Sequence, residues 1–409
     1  MGAKGLREAL EISLERQRAI LRGSIILNPV ENLPFIEDLW PAASEFHGLY
    51  NTDNLRPDDH KRQTKHQFAG RDRIAYDSRR IYNAWAEALG AEDVSLRLLS
   101  GLHAHIVIFM SVTQQGDRVL LLPEIAGGHM STKAILKRLG LDVVEMAVNM
   151  DHRCVDVGMT LEKMSGKPPD IVFVDRSEGL VYENFSDLLS AIDAPKIFDA
   201  SQYLANIIAH DHQSPFEMGF DYIVATVHKN FPGPQKALIA ARERTDHWKT
   251  MLSGISTYVS NMHMFSTYSA GLTLSRKAWI VDYSSRMLTN TIELDRELKA
   301  LGIPTVSRPD YARPTHHIWI RAASQEQAFD WFKRLEATRI YVNFRKLPYN
   351  LGFGLRLGLS ATTRLGLEPF ECASLAKLVA SSMDGLEVSR SRRRVRAFAE
   401  ELWSRGMSM

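Results

Sequence analysis

In the stretch Thr226-Val-His228-Lys229-Asn-Phe-Pro-Gly-Pro, an amine follows an aromatic base at the end of an apolar run, and a rigid turn closes it. A lysine in that setting suits Schiff-base chemistry, because burial or a cationic neighbour lowers its pKa and leaves a neutral amine able to attack a carbonyl. A strand-end lysine is also commonly just solvated, so the weight falls on the residues upstream. The run ending Leu98-Leu-Ser100-Gly101-Leu-His103 opens a helix, where free backbone N–H groups and a hydroxyl can cradle a phosphate. It lacks both the dinucleotide GxGxxG and the P-loop spacing, which implies one phosphate rather than a pyrophosphate. Gly127-Gly128-His129 turns the backbone closely and presents an imidazole that can stack on a flat ligand. Asp199-Ala-Ser-Gln202 ends another apolar run with a carboxylate suited to a protonated heterocyclic nitrogen. Taken singly, these are equally an ordinary N-cap, a locally packed histidine and a strand-end acid.

The elements that must position these residues follow from periodicity. From about residue 71, helices and apolar strands alternate. A helix is expected over 71–89, a strand over 94–99, a helix over 100–113, a strand over 118–122 and a helix over 129–139. Strands over 143–148, 170–175, 196–199 and 221–228 follow, with helices near 160–165 and 185–192, and a further apolar run, Lys236-Ala-Leu-Ile-Ala-Ala, lies beside the last strand. This spacing predicts an α/β fold with a mostly parallel sheet covered by helices, and ligands beyond the carboxyl ends of its strands. A phosphate cradle, a stacking base, a pyridinium partner and a Schiff-base lysine then occur in that order, each just after a strand. Together they describe a pyridoxal phosphate site. A long helix over 286–301 leads into a smaller α+β pattern, with strands at 316–322, 341–347 and 352–358 and helices at 325–338 and 369–383. The expected divisions are an N-terminal helix and arm (1–70), a large cofactor-binding domain (71–283) and a small C-terminal domain (284–409).

Length and composition bound the alternatives. A chain of 409 residues with 45% hydrophobic and 24% charged residues is a globular protein of two domains, or of one with an appendage. A net charge of +2 gives no electrostatic case for nucleic acid. The basic tail at 388–405 interleaves Val388, Val395, Phe398, Leu402 and Trp403, as a packed helix with a solvated side would. Cys154 and Cys372 have no metal or disulfide spacing, which fits a reducing compartment. Asp58-Asp59-His60 could ligate a metal, but adjacent groups on one loop read as a solvated turn, and no metal is expected. Without a signal-peptide core or an apolar run of membrane length, the expectation is a cytoplasmic protein.

Thr226-Val-His228-Lys229-Asn-Phe-Pro-Gly-Pro-Gln closely resembles the lysine segment of the serine hydroxymethyltransferase family, a fold-type-I pyridoxal phosphate group, and still more that of the L-threonine transaldolases. Glu31-Asn32, Leu98-Leu-Ser100-Gly101, Gly127-Gly-His129, Phe198-Asp199 and Gly354-Leu-Arg356-Leu-Gly358 fall in the family's order, so the resemblance covers roughly residues 25–370. It implies a seven-stranded-type sheet, with Lys229 as the Schiff-base lysine, Asp199 on the pyridine nitrogen and His129 on the ring. Ser100 and Gly101 would bind phosphate, with Thr226 and His228 beside the lysine and Gln202 lining the cofactor. Arg356 would clamp the substrate carboxylate, with Glu31 and Thr52 near the substrate. Tyr50, and Ser260 with Asn261, would reach the phosphate of the neighbouring subunit in a homodimer.

The departures redirect the chemistry. Tyr50-Asn-Thr52 offers threonine where the hydroxymethyltransferases carry their catalytic glutamate, Gln202 replaces a ring-facing histidine, and Leu347-Pro-Tyr-Asn-Leu-Gly-Phe replaces the folate-associated segment. The expected activity is therefore folate-independent Cα–Cβ cleavage with aldol or transaldol transfer, in specialised biosynthesis. Its rivals are β-elimination, as by a C–S lyase on a cysteine conjugate, decarboxylation-coupled oxidative deamination, and a non-catalytic scaffold of the same fold.

Overall fold

The computed structural model describes residues 3–51, 68–309 and 313–406. Contacts divide the chain into two compact units, one of Met1–Glu31, Arg286–Arg308 and His316–Met409, the other of Asn32–Ser285 and Pro309–Thr315.

The larger unit is built on seven strands: β1 (Asp93–Ser95), β2 (Arg118–Leu121), β3 (Asp142–Glu145), β4 (Ile171–Val174), β5 (Lys196–Asp199), β6 (Tyr222–Thr226) and β7 (Ala237–Ala241). They lie in the order β1-β7-β6-β5-β4-β2-β3. Strand β7 alone runs antiparallel to its neighbours, so the sheet is mostly parallel, as the alternating pattern predicts. Strands β4, β6 and β7 are buried at every position, which requires cover on both faces of the sheet. One face packs Val119, Leu121, Phe173, Ile197, Val224 and Ile239 against Val107 and Ile108 of helix Gly101–Val112 and Trp248 and Met251 of helix Asp246–Tyr258. Helix Asp72–Leu89 stops at Gly90, which adopts φ 66° and donates its N–H to Glu87 O at 3.3 Å.

Strands β1, β2, β5 and β6 are parallel, so the residues following them emerge at one edge of the sheet. Strand β5 ends on Asp199 as predicted, whereas β6 finishes at Thr226, three residues before Lys229. The expected strand over 143–148 also breaks. β3 ends at Glu145, and Val148–Asn149 pairs instead with Cys154–Val155 in a small hairpin. The expected helix over 129–139 spans Thr132–Arg138, because Gly128 is held in a bridge to Arg176.

In the smaller unit, Phe353–Gly358 is the central strand of an antiparallel sheet between His317–Arg321 and Asn343–Lys346. Helix Gln325–Thr338 packs with Cys372–Asp384 and Val388–Gly406. Near the N-terminus, Ile25–Ile26 pairs in parallel with Ile340–Tyr341. No helix among the described residues is long and apolar enough to cross a membrane.

Candidate active site

The lysine segment is held by its own turn and by one asparagine. Gly233 donates its N–H to Val227 O at 2.7 Å, and a Cβ at Gly233 would sit 2.5 Å from that same oxygen, so only glycine closes the turn. Asn32 Nδ2 donates to Lys229 O at 2.8 Å and to Asn230 O at 3.3 Å, while Tyr283 donates its hydroxyl to Asn230 O at 2.9 Å. The backbone of Lys229 is thus fixed independently of its side chain. Burial, helped by the charge of Lys229, pulls His228 down to about 4 against a hydrogen bond of the imidazole with the Lys236 backbone, and Nδ1 is buried without a hydrogen-bond partner among the described residues. The imidazole beside the lysine is neutral at physiological pH.

The ends of β5 and β6 are tied to the start of helix Gly101–Val112. Ser201 donates its N–H to Asp199 Oδ1 at 2.7 Å, and its hydroxyl accepts Thr226 N–H at 2.9 Å. A Cβ on Gly101 would meet Thr226 Cγ2 at 2.7 Å, so the helix begins against the strand end only because residue 101 has no side chain. Ser100 caps that helix, its hydroxyl accepting His103 N–H at 3.3 Å. Both polar atoms of the Gln202 side chain are buried without hydrogen-bond partners, as is Thr226 Oγ1. Natural interiors rarely leave such groups unmet, and each one left unmet costs about 1–3 kcal/mol. An open amide, hydroxyl and imidazole nitrogen in the segments that carry Asp199 and Lys229 are what a polar ligand would satisfy.

Asp199 is nearly buried, and burial alone would raise its carboxyl. Hydrogen bonding and charge from His105, the charge of Lys229 and the Ser201 side chain overcome this and hold it at about 2. His105 Nε2 lies 2.8 Å from Asp199 Oδ2, and Nδ1 lies 3.2 Å from Thr132 Oγ1, which donates to Asp175 Oδ2 at 2.5 Å. None of these three partners is among the predicted site residues. Their signal was present in part: Gly101 and His105 are four apart on one helix, so His105 shares the face that meets the strand ends. Thr132 and Asp175 carry no such mark.

Gly127 adopts φ 90°, where a Cβ would fall 1.9 Å from Glu178 O, and this close pass brings His129 round to the same edge. His129 Nδ1 accepts Ser131 N–H at 3.2 Å, and its ring stands edge-on to His105 at 6.1 Å. The structure therefore gathers His129, His105 and Asp199 in one place, with Ser100, Gly101, Thr226 and Ser201 in a second connected group.

Tyr50, Ser260 and Asn261 form a separate cluster within the chain. The Tyr50 hydroxyl is 3.3 Å from Ser260 Oγ, and Asn51 donates its N–H to Asn261 Oδ1 at 3.3 Å. Buried Lys236 donates to Met262 O at 2.7 Å beside them. Arg356 and Glu31 belong to the smaller unit. Arg356 is buried on the central strand, opposite Trp319 and Asn343, and Glu31 donates its N–H to Asn28 O at 3.1 Å. Thr52 and the Asp58-Asp59-His60 cluster lie outside the described residues.

A family model described as serine hydroxymethyltransferase matches residues 77–379. The serine hydroxymethyltransferase of Pyrobaculum calidifontis is 27% identical over 326 residues, covering 77% of this chain and 76% of that one. That of Metallosphaera sedula is 26% identical over 322 residues, covering 76% and 75%. Among solved structures, an L-threonine transaldolase from Pseudomonas fluorescens superposes with a TM-score of 0.91 at 20% identity, covering 98% of this chain and 92% of that one. At that identity the likeness speaks for a common fold.

Proposed function

The chain belongs to the serine hydroxymethyltransferase family, and we propose that it cleaves the Cα–Cβ bond of a β-hydroxy-α-amino acid and transfers the Cα fragment to an aldehyde without folate. As a member of that family it is a pyridoxal phosphate-dependent transferase. The observation that carries the reading is the set of open polar atoms on Gln202, Thr226 and His228, beside an Asp199 held ionised at a strand end. These residues fit the cofactor. Lys229 would tether it covalently, Asp199 would face its ring nitrogen, and His129 would lie against the ring. Ser100, Gly101 and Thr226 would receive the phosphate, and Gln202 would spend its amide on the ring substituents. When bound, pyridoxal phosphate accepts the electron pair of a bond broken at Cα.

The chain's own residues do the rest. Arg356 binds the substrate carboxylate through its planar fork, with Glu31 and Thr52 assigned to the substrate. The β-hydroxyl must lose its proton as the Cα–Cβ bond breaks, and neutral His228, with Nδ1 open, is able to take it and return it to the alkoxide of the new adduct. Asp199 keeps its charge throughout, which holds its cationic partner protonated.

The protein is further proposed to be a cytoplasmic homodimer, in which Tyr50, Ser260 and Asn261 complete the phosphate site of the neighbouring subunit. In support, Leu102, Ile106 and Met110 repeat every four residues along helix Gly101–Val112 and are 36–41% exposed, an apolar stripe next to the cradle. Use in specialised biosynthesis is proposed from the missing folate segment.

The test is product analysis with L-threonine and an aromatic aldehyde, beside L-serine and an S-substituted L-cysteine. The expected outcome is acetaldehyde with glycine or a new β-hydroxy amino acid. Pyruvate and ammonia from the cysteine conjugate alone, or carbon dioxide, would replace this reading with elimination or decarboxylation.

A further inference from the structure

Behind Asp199, three polar groups stand in line: His105, then Thr132, then Asp175, each 2% exposed or less. Thr132 has a single hydroxyl proton and sits between a ring nitrogen and a carboxylate oxygen, so with Asp199 ionised and Thr132 donating to one of these two neighbours, two arrangements make every contact a hydrogen bond. In the first, Asp175 is ionised and accepts from Thr132, and His105 carries both ring protons, one directed to Thr132 and one to Asp199. In the second, Asp175 carries a proton and donates it to Thr132, Thr132 donates to Nδ1 of a neutral His105, and the Nε2 proton still points at Asp199. Both hold the same number of protons and the same net charge. Passing between them moves the Asp175 proton onto Thr132 Oγ1 while the Thr132 proton moves onto His105 Nδ1. In both, Asp199 receives a hydrogen bond and remains a carboxylate.

We infer that Asp175, Thr132 and His105 form a proton relay that keeps one proton in reserve behind Asp199. They are positioning residues for the cationic group that Asp199 faces, and the inference rests on the proposed function only in identifying that group as the cofactor's ring nitrogen. The charged and titratable groups around the line are Lys229 on the Asp199 side and His129, whose ring edge meets His105 and whose backbone meets Asp175, while Phe173 packs edge-on to His105 at 4.9 Å. Burial, reinforced by the charge of Asp199, pushes Asp175 up to about 7, against His105, Thr132 and the His129 backbone. An unfolded aspartate ionises near 3.8, so between these two values the folded chain binds the extra proton. That contribution to stability is full below about pH 4 and is lost as pH rises through about 7. Above it the reserve proton has gone, and one contact in the line no longer has a hydrogen to share.

The experiment uses the full chain with nitrogen-15 histidine, followed by NMR across about pH 5 to 9 with and without added pyridoxal phosphate. In the wild type, Asp175 is expected to give up the shared proton near pH 7, and both His105 ring nitrogens should sense that loss together, in one step, through the hydrogen-bonded line. The step should disappear, or move by about one pH unit or more, in Asp175→Asn and in Thr132→Val, and it should return in Thr132→Ser, which keeps the hydroxyl. A His105 step unaltered by Asp175→Asn would overturn the relay, and so would one unaltered by Thr132→Val. Should the valine variant not fold, Asp175→Asn decides alone. A chain that takes no pyridoxal phosphate yet shows the coupled step would refute the proposed cofactor and leave the relay standing.

Discussion

Gln202 buries an amide whose two polar atoms have no hydrogen-bond partner among the described residues. A group left in that condition destabilises the chain without ligand and stabilises the complex by about 1–3 kcal/mol when its partner arrives. Gln202→Leu should therefore melt at the same temperature or higher without cofactor, while its affinity for pyridoxal phosphate falls roughly tenfold or more, at 1.4 kcal/mol per tenfold. Unchanged affinity by equilibrium titration would mean that the amide faces something else. Residue identity and residue role were unequally legible. The placement of Lys229, Asp199 and His129 could be read because each stands at or shortly after a strand end, and the structure sets them at one edge of the sheet. The open state of Gln202 could not, since a missing partner is a property of packing. His105 lies 94 positions from Asp199 in the chain, and a histidine inside an apolar helix is as easily read as core.

Among the elements, the contact between the start of helix Gly101–Val112 and the end of β6 shapes the proposed phosphate cradle. Gly101 admits that contact, since a Cβ there would reach Thr226 Cγ2 at 2.7 Å. Gly101→Ala is expected to cost about 1–3 kcal/mol by overpacking and to weaken pyridoxal phosphate binding more than tenfold, because helix and strand must separate. Adding Thr226→Ser removes the clashing methyl and keeps the hydroxyl, so the double variant should regain most of both. A double variant no better than the single one, by thermal melts and cofactor titration, would contradict this reading of the contact. That the sheet is mostly parallel was legible from alternation, whereas the order of its strands, the antiparallel course of β7 and the element ends were not. Strand β3 gives way to a hairpin because Val148–Asn149 has Cys154–Val155 to pair with. The helix after His129 starts late because Gly128 is engaged with Arg176. The first is a local turn and the second a contact with a distant segment, and the periodicity of the element itself encodes neither.

At the level of the whole molecule, the first 31 residues belong by contact to the unit formed mainly by the C-terminal third, where Ile25–Ile26 pairs with Ile340–Tyr341. A two-residue parallel pairing across more than three hundred positions leaves no periodic trace, so an N-terminal arm was all that the pattern offered. The central strands of the larger unit, by contrast, were readable, since strands buried on both faces, as β4, β6 and β7 are, must be apolar at every position. Its open polar atoms make ligand binding a property of global stability: a ligand bound only by the folded chain stabilises it by about 2.7 kcal/mol at a hundredfold excess over its Kd. The most direct measurement is thus the thermal unfolding of the full chain with and without pyridoxal phosphate, in the wild type and in Lys229→Ala. The account predicts a clear rise in Tm with visible absorbance in the wild type, and the loss of that absorbance with most of the rise in the variant. Equal stabilisation of both, or no stabilisation of the wild type, would contradict it.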